Sequence, residues 1–196
     1  MRWCRFVLWL LLLAPLTVSA TTLLVFGDSL SAGYGLQNGQ GWVDLLAREL
    51  GPRIRVVNAS QSGETSAGGL TRLPQALAQA RPDIVILELG ANDGLRGLPL
   101  DAMRDNLARM IRLCQRAHAR VVLVGVALPP NFGAPYTQAF HAVYDDLSRT
   151  YRLIYVPQLM QGFAEDIRQF QPDGLHPAAS AQSIMMHTVK SRLPKL

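Results

Sequence analysis

The stretch VFGDSLSAGYG, residues 25–35, begins as a buried strand and changes character at Gly27. Two apolar residues lead into Asp28 and Ser29, and a loop rich in glycine and serine follows. One interpretation is structural, because strands end in turns and turns favour Gly, Asp and Ser. The other interpretation is that Ser29 is a nucleophile held at the edge of a sheet. Residues elsewhere in the chain distinguish these two interpretations.

Strand-like and helix-like segments alternate along the chain. The central strand candidates are nearly continuous runs of Val, Ile and Leu, which is typical of strands buried on both faces of a parallel sheet. This alternation predicts a doubly wound α/β domain. The predicted strands are 22–26, 54–60, 83–90, 120–128 and 152–157, and the predicted helices are 41–50, 68–80, 98–119, 135–151 and 177–193.

The N-terminus has the pattern of an export signal. Two arginines precede an apolar run over residues 6–16, and a small-residue cleavage motif ends at Ala20. The run is too short to span a membrane comfortably. We predict a signal peptide over residues 1–20, cleaved after Ala20, and a single mature domain over 21–196. The mature protein is then periplasmic or secreted and has no stable membrane anchor; an uncleaved anchor is the alternative.

The net charge of the chain is small. It has 19 Lys and Arg against 14 Asp and Glu, so loss of the two leader arginines leaves 17 against 14, a net charge of +3. The arginines between 104 and 120 fall on one helical stretch without interleaved aromatic residues, which indicates a solvated face and no nucleic-acid partner. The one cysteine of the mature chain, Cys114, lies at helical spacing with apolar residues and is expected in the core. We expect a monomer.

Polar residues follow three of the predicted strands and precede the last helix. Ser29 follows the first strand, Gly63 the second and Asn92 the third. In the flavodoxin-like strand order 2-1-3-4-5, these segments meet at one edge of the sheet. Asp173 and His176 lie in a late loop that can reach this edge. A histidine can take the proton of a serine hydroxyl, and a carboxylate can fix the histidine's tautomer.

The same set of residues offers donors for a developing oxyanion. The backbone N–H groups of Ser29 and Gly63 and the side-chain amide of Asn92 are suited to that role. Each residue alone also fits an ordinary turn. A metal site is a further alternative, but its four candidate residues lack the spacing of metal ligands, so we expect neither metal nor cofactor. Those four candidates are Asp28, Asp93, Asp173 and His176.

Taken together, the segments resemble the SGNH (GDSL) hydrolase family, and within it the secreted or periplasmic thioesterases, lysophospholipases and arylesterases. The motifs are GDS at 27–29, Gly63, GAND at 90–93 and DGLH at 173–176. The resemblance implies a flavodoxin-like three-layer α/β/α sandwich with a five-stranded parallel sheet. It also implies a Ser29–His176–Asp173 triad and an oxyanion hole formed by Ser29, Gly63 and Asn92. The GxSxG elbow of the α/β-hydrolases is not present in this sequence.

The function expected from these residues is hydrolysis of small acyl esters and thioesters through an acyl-enzyme. The loop ALPPNFGAPY, residues 127–136, follows the fourth strand, and its Pro129, Phe132 and Tyr136 are predicted to line an acyl groove. A stiff connector is the alternative for this loop. The competing functions are a carbohydrate O-acetylesterase with the same triad and a non-catalytic binding protein. Glu88, a charge inside an otherwise apolar strand, has no explanation in the sequence.

Overall fold

Five parallel strands form the centre of the molecule, for which a computed structural model describes residues 20–195. The strands pair in the order β2-β1-β3-β4-β5, so the predicted order 2-1-3-4-5 is confirmed. Every neighbouring pair is parallel. In chain order the strands are β1 (Thr21–Gly27), β2 (Ile54–Asn58), β3 (Ile84–Glu88), β4 (Arg120–Val124) and β5 (Ile154–Val156).

Helices cover both faces of this sheet, which gives the expected three layers. One layer holds α2 packed against α7, and the other holds α3, α5 and α6 side by side. Single 3₁₀ turns occupy Pro130–Phe132, Ile167–Gln169 and Ala179–Ala181. The helices are α1 (Ser29–Ala32), α2 (Trp42–Leu50), α3 (Ser66–Ala80), α4 (Ala91–Leu95), α5 (Leu100–Arg116), α6 (Ala134–Tyr151) and α7 (Gln182–Lys190).

The predicted elements differ from the observed ones mainly at the edge of the sheet where the candidate site lies. The strands β2, β3 and β4 end earlier than predicted, because the residues after them leave the sheet as loops. The short helices α1 and α4 were not predicted. At Gly90 the backbone takes φ 122° to enter α4, a conformation that favours glycine. The last helix begins at Gln182 and not at residue 177.

The core consists of the central strands and the inner faces of the helices. All five residues of β3 are buried, as are six of the seven residues of β1. Cys114 is completely buried with its apolar neighbours on α5, which confirms its place in the core. Burial raises the pKa of the Cys114 thiol to about 12, so this thiol is a packing group at neutral pH.

The predicted signal peptide, residues 1–20, lies outside the described residues except for Ala20. Within residues 20–195, no helix is both long and apolar enough to cross a membrane.

Candidate active site

Ser29 lies where β1 ends and α1 begins. The Asp28 carboxylate caps the short helix by accepting a hydrogen bond of 3.0 Å from the Leu30 N–H. Gly27 leaves room for this tight turn, because a Cβ at that position would come within 2.8 Å of the Ser31 Oγ and still closer to the Glu88 carboxyl. The local geometry therefore presents the first residue of α1 at the carboxyl end of the sheet.

Ser29, His176 and Asp173 form a continuous hydrogen-bonded chain. The Oγ of Ser29 is 2.9 Å from Nε2 of His176, and Nδ1 of the same ring is 2.7 Å from Oδ2 of Asp173. The His176 side chain is 16% exposed, whereas that of Asp173 is 41% exposed. The structure thus brings together residues that are 147 positions apart in the chain. The arrangement allows the ring to take the serine proton while the carboxylate holds the ring.

The Asp173 carboxyl group is held in its charged form. Partial burial acts to raise its pKa, but the N–H groups of His176 and Leu175 and the His176 ring outweigh it and lower the pKa to about 2. Both N–H groups donate to Oδ1, at 3.0 and 2.9 Å, and the ring contacts the other oxygen. Asp173 therefore remains an anion beside His176 at any pH above about 3.

The late loop is fastened to the loop that follows Ser29. The Gln171 side chain donates to the Tyr34 carbonyl at 2.8 Å and to the Pro177 carbonyl at 3.2 Å. The Tyr34 ring lies against the His176 ring, with the centroids 4.5 Å apart. These contacts fix the histidine over the serine. Sequence reasoning did not identify Gln171 or Tyr34, and no motif in the sequence marks them.

Two backbone N–H groups belong to residues of the same cavity wall. Among the described residues, neither the Ser29 N–H nor the Gly63 N–H has a hydrogen-bond acceptor. Both residues line the cavity in front of the serine. Gly63 has φ 78°, in the left-handed region that favours glycine. Two donors are therefore available beside the Ser29 hydroxyl.

The Asn92 amide stands next to these donors and already has partners. Its Nδ2 donates to the Asp28 carboxylate at 3.2 Å and to the Glu64 carbonyl at 2.9 Å. The residue also lines the cavity. To serve an oxyanion, the amide has to share one of these hydrogens, and catalytic hydrogen bonds commonly tighten only when substrate is bound.

Arginines hold the loop that carries Gly63. Arg96 donates to the Gly63 carbonyl at 3.0 Å. Arg72 forms an ion pair of 2.5 Å with Glu64 and donates to the Ala59 carbonyl at 3.1 Å. Because these contacts anchor both the start and the end of the loop, the direction of the Gly63 N–H is fixed by the fold.

The cavity in front of Ser29 is largely apolar. Its walls come from the segments that follow each of the five strands and from the late loop. Pro129 belongs to the wall, whereas Phe132 and Tyr136 do not line it. The Phe132 ring stacks on the Tyr136 ring at 6.2 Å, and the Tyr136 hydroxyl donates to the Gly94 carbonyl at 3.1 Å. Besides Pro129 and two alanines, the apolar side chains of the wall are Leu30, Leu95, Val126, Leu128, Met160 and Leu175.

The four candidate metal ligands do not form one cluster, because they are engaged with different hydrogen-bond partners. Asp173 pairs with His176, while the Asp93 carboxylate accepts from both the N–H and the hydroxyl of Ser66. Asp28 is occupied by the Leu30 N–H and by Asn92. Within residues 20–195, no three His, Cys, Asp or Glu side chains gather as a metal ion would require.

The fold and this site are of a kind that suits a hydrolase of carboxylic esters. Residues 25–184 match the model of the GDSL-like lipase/acylhydrolase family. The chain belongs to that family, as its motifs predicted.

Named relatives resemble the chain over nearly its whole length. The esterase TesA of Pseudomonas aeruginosa is 44% identical over 189 residues, which cover 95% of this chain and 94% of that protein. An arylesterase of Vibrio mimicus is 39% identical over 186 residues, 93% of each chain. The thioesterase 1/protease 1/lysophospholipase L1 of Escherichia coli is 37% identical over 195 residues, 100% of this chain and 94% of that one. These names confirm the predicted subgroup.

Solved structures show the same fold. The crystal structure of TesA matches with a TM-score of 0.86 at 45% identity and covers 88% of this chain and 98% of its own. The psychrotrophic esterase EstA from Pseudoalteromonas, in a structure inhibited by monoethylphosphonate, matches with a TM-score of 0.80 at 39% identity and covers 88% and 96%.

Proposed function

We propose that this protein is an exported serine esterase and thioesterase that cleaves small acyl esters and thioesters through a covalent acyl-enzyme. The observation that carries the proposal is the hydrogen-bonded chain from Ser29 through His176 to Asp173, which opens onto an apolar cavity. The first test is hydrolysis of p-nitrophenyl esters of graded chain length by the mature protein. Activity is expected, and a folded protein inactive on the whole series contradicts the proposal.

The proposed reaction has two halves. In the first, Nε2 of His176 takes the Ser29 proton as Oγ attacks the acyl carbonyl carbon, and the protonated ring then gives that proton to the leaving alcohol or thiol. In the second, His176 takes a proton from water as the water oxygen attacks the acyl carbon. The ester bond to Ser29 Oγ then breaks, the ring returns the proton to Oγ, and the acid is released. The Asp173 carboxylate orients the ring and stabilises the imidazolium that forms in each half.

The oxyanion that forms in each half is assigned to three donors. The N–H groups of Ser29 and Gly63 support this assignment because both are free among the described residues. The Asn92 amide is the third donor. All three follow the carboxyl ends of neighbouring strands and belong to residues that line the cavity.

Asn92→Ala is expected to lower kcat about 10²- to 10³-fold, because one oxyanion donor is typically worth that much. KM is expected to change little, since the donor acts on charge that develops in the transition state. Steady-state kinetics on a p-nitrophenyl ester measure both constants. Asn106→Ala is the matched control, because Asn106 donates to the Ser66 hydroxyl and does not line the cavity. A kcat within about threefold of wild type for Asn92→Ala contradicts the assignment.

The apolar wall favours a fatty acyl group over an acetylated sugar. Leu95→Trp replaces an aliphatic side chain of this wall by a larger indole ring and is expected to lower the octanoyl-to-acetyl ester rate ratio about tenfold. Phe132→Ala in parallel tests the prediction that this ring lines an acyl groove. An unchanged ratio rejects that prediction and leaves Ala127, Leu128 and Pro129 as the loop residues at the cavity. A wild-type enzyme that cleaves acetyl esters far better than octanoyl esters instead supports the O-acetylesterase alternative.

Thioester and lysophospholipid cleavage is proposed because the Escherichia coli relative is named for both activities. Export is proposed from the leader pattern of residues 1–20. When the full chain is expressed in a Gram-negative host, the processed protein is expected to begin at Thr21. N-terminal sequencing of the periplasmic and secreted fractions tests this, and an intact Met1 N-terminus on membrane-bound protein supports the uncleaved anchor.

A further inference from the structure

Glu88 stands in the middle of the core, where an apolar residue is expected. It is the last residue of β3, it is completely buried, and it pairs in register with Gly27 of β1. The other four residues of β3 are Ile, Val, Ile and Leu. A buried carboxyl group is costly unless its hydrogen bonds compensate. The position therefore needs a reason beyond packing.

The Glu88 carboxyl contacts the turn on both sides of the nucleophile. Its Oε2 accepts a hydrogen bond of 2.6 Å from the Ser31 hydroxyl and a longer one of 3.4 Å from the Asp28 N–H. Asp28 directly precedes Ser29, and Ser31 follows it by two residues. One oxygen atom thus holds the entry and the first turn of α1, and the glycine at position 27 gives that oxygen its space.

Only one of the two oxygens of the Glu88 carboxyl has hydrogen-bond partners among the described residues. Among residues 20–195, the buried Oε1 of Glu88 has no hydrogen-bond partner. The pKa of Glu88 is raised well above its usual range, mainly by burial and secondly by the nearby Asp28 carboxyl. Burial also raises the pKa of Asp28, to about 7. This direction favours the protonated carboxyl, and in either charge state Oε2 is the acceptor that Glu88 supplies to the turn.

We propose that Glu88 is a positioning residue for catalysis, which sets the place of the Ser29 hydroxyl and N–H by accepting hydrogen bonds from Ser31 and Asp28. The inference rests on the proposed function, in which Ser29 is the nucleophile. Glu88 does not line the cavity, so it acts through the turn and not on the substrate. Misplacement of a reacting group by about 1 Å can cost about 10²-fold in rate.

Two substitutions at Glu88 separate an acceptor from a space-filling group. Glu88→Gln keeps a neutral side chain with an acceptor oxygen and is expected to retain kcat within about threefold. Glu88→Leu keeps much of the volume but removes the acceptor, and kcat is expected to fall about 10- to 100-fold with KM nearly unchanged. The rate at which an alkyl p-nitrophenyl phosphonate modifies the protein is expected to fall in parallel, since it reports the attack by Ser29 alone.

Asp83→Ala is the matched control for lost stability. The Asp83 carboxylate accepts a hydrogen bond of 2.7 Å from the Thr22 N–H, which also links β3 to β1 but at the opposite end of the strands. This variant is expected to lower Tm and to leave kcat within about twofold of wild type. Glu88→Leu is expected to lower both Tm and kcat.

The inference is overturned if folded Glu88→Leu keeps wild-type kcat, or if Glu88→Gln loses as much kcat as Glu88→Leu. If Glu88→Leu does not fold, Ser31→Ala decides, because it removes the 2.6 Å contact from the other side. Its kcat is expected to fall about three- to tenfold with KM unchanged, and a wild-type kcat overturns the inference. Failure of the proposed function is distinct, since the wild type and Ser29→Ala would then be equally inactive.

Discussion

Ser29→Ala is expected to lower ester hydrolysis at least about 10⁴-fold, the largest loss expected from any single substitution in this chain. The substitution removes the oxygen that forms the acyl bond and leaves the His176 ring without its hydrogen-bond partner. The free donors at Ser29 and Gly63 remain. The residual rate therefore measures what oxyanion stabilisation and substrate binding achieve without a nucleophile.

Measuring this loss needs a variant that changes a serine elsewhere. Ser148→Ala serves, because Ser148 lies on α6 and its hydroxyl only donates to the Asp145 carbonyl. Both variants are assayed on a p-nitrophenyl ester, and their circular dichroism spectra and Tm values are compared with wild type. If Ser29→Ala retains more than about a tenth of the wild-type kcat, another residue is the nucleophile and the proposed mechanism is wrong.

His176→Ala is expected to have a loss of similar size, about 10⁴-fold or more, because no other base contacts the serine hydroxyl among the described residues. His141→Ala is the matched control. His141 lies on α6, where it faces the Asp145 carboxylate, and does not line the cavity. In a double variant that combines His176→Ala with Ser29→Ala, the two losses are expected to be far from additive, since serine and histidine act as a unit.

The pH dependence of the wild type follows from the same assignment. An imidazolium cannot accept a proton, so kcat/KM is expected to fall as the pH is lowered from 8 to 5. Asp173 does not contribute to this fall, since its pKa lies at about 2. Asp28 does titrate in this range, because burial raises its pKa to about 7. The profile is therefore repeated with Asp28→Asn, in which kcat/KM is still expected to fall toward low pH. A kcat/KM that does not change with pH in this variant contradicts His176 as the base.

The meeting of Ser29, Gly63 and Asn92 could be predicted from the sequence because the fold has a strong rule. Buried apolar runs that alternate with helices indicate a parallel sheet, and the carboxyl ends of parallel strands share one edge. The motif spacing then placed Asp173 and His176 within reach of that edge. These inferences need the hydrophobic pattern of the chain, the flavodoxin-like strand order and the place where each strand ends.

The side-chain contacts that orient the site could not be predicted in the same way. Whether Gln171 reaches the Tyr34 carbonyl depends on how two distant loops pack, and no local pattern encodes that. That the Phe132 ring lies outside the cavity could not be predicted either, although its loop borders the site, because its place depends on how that loop packs. Glu88 was visible as an anomaly, but its partners on α1 follow from the β1–β3 register, which the sequence leaves open.

Covalent labelling tests the central claim most directly. The mature protein is treated with an alkyl p-nitrophenyl phosphonate, and the adduct is located by intact-mass and peptide mass spectrometry, alongside Ser29→Ala and His176→Ala. The relative EstA, inhibited by monoethylphosphonate, supports the choice of reagent. We expect one adduct per chain, on Ser29, that is absent in Ser29→Ala and slow to form in His176→Ala. An adduct on any other residue, or equal labelling of Ser29→Ala, contradicts it.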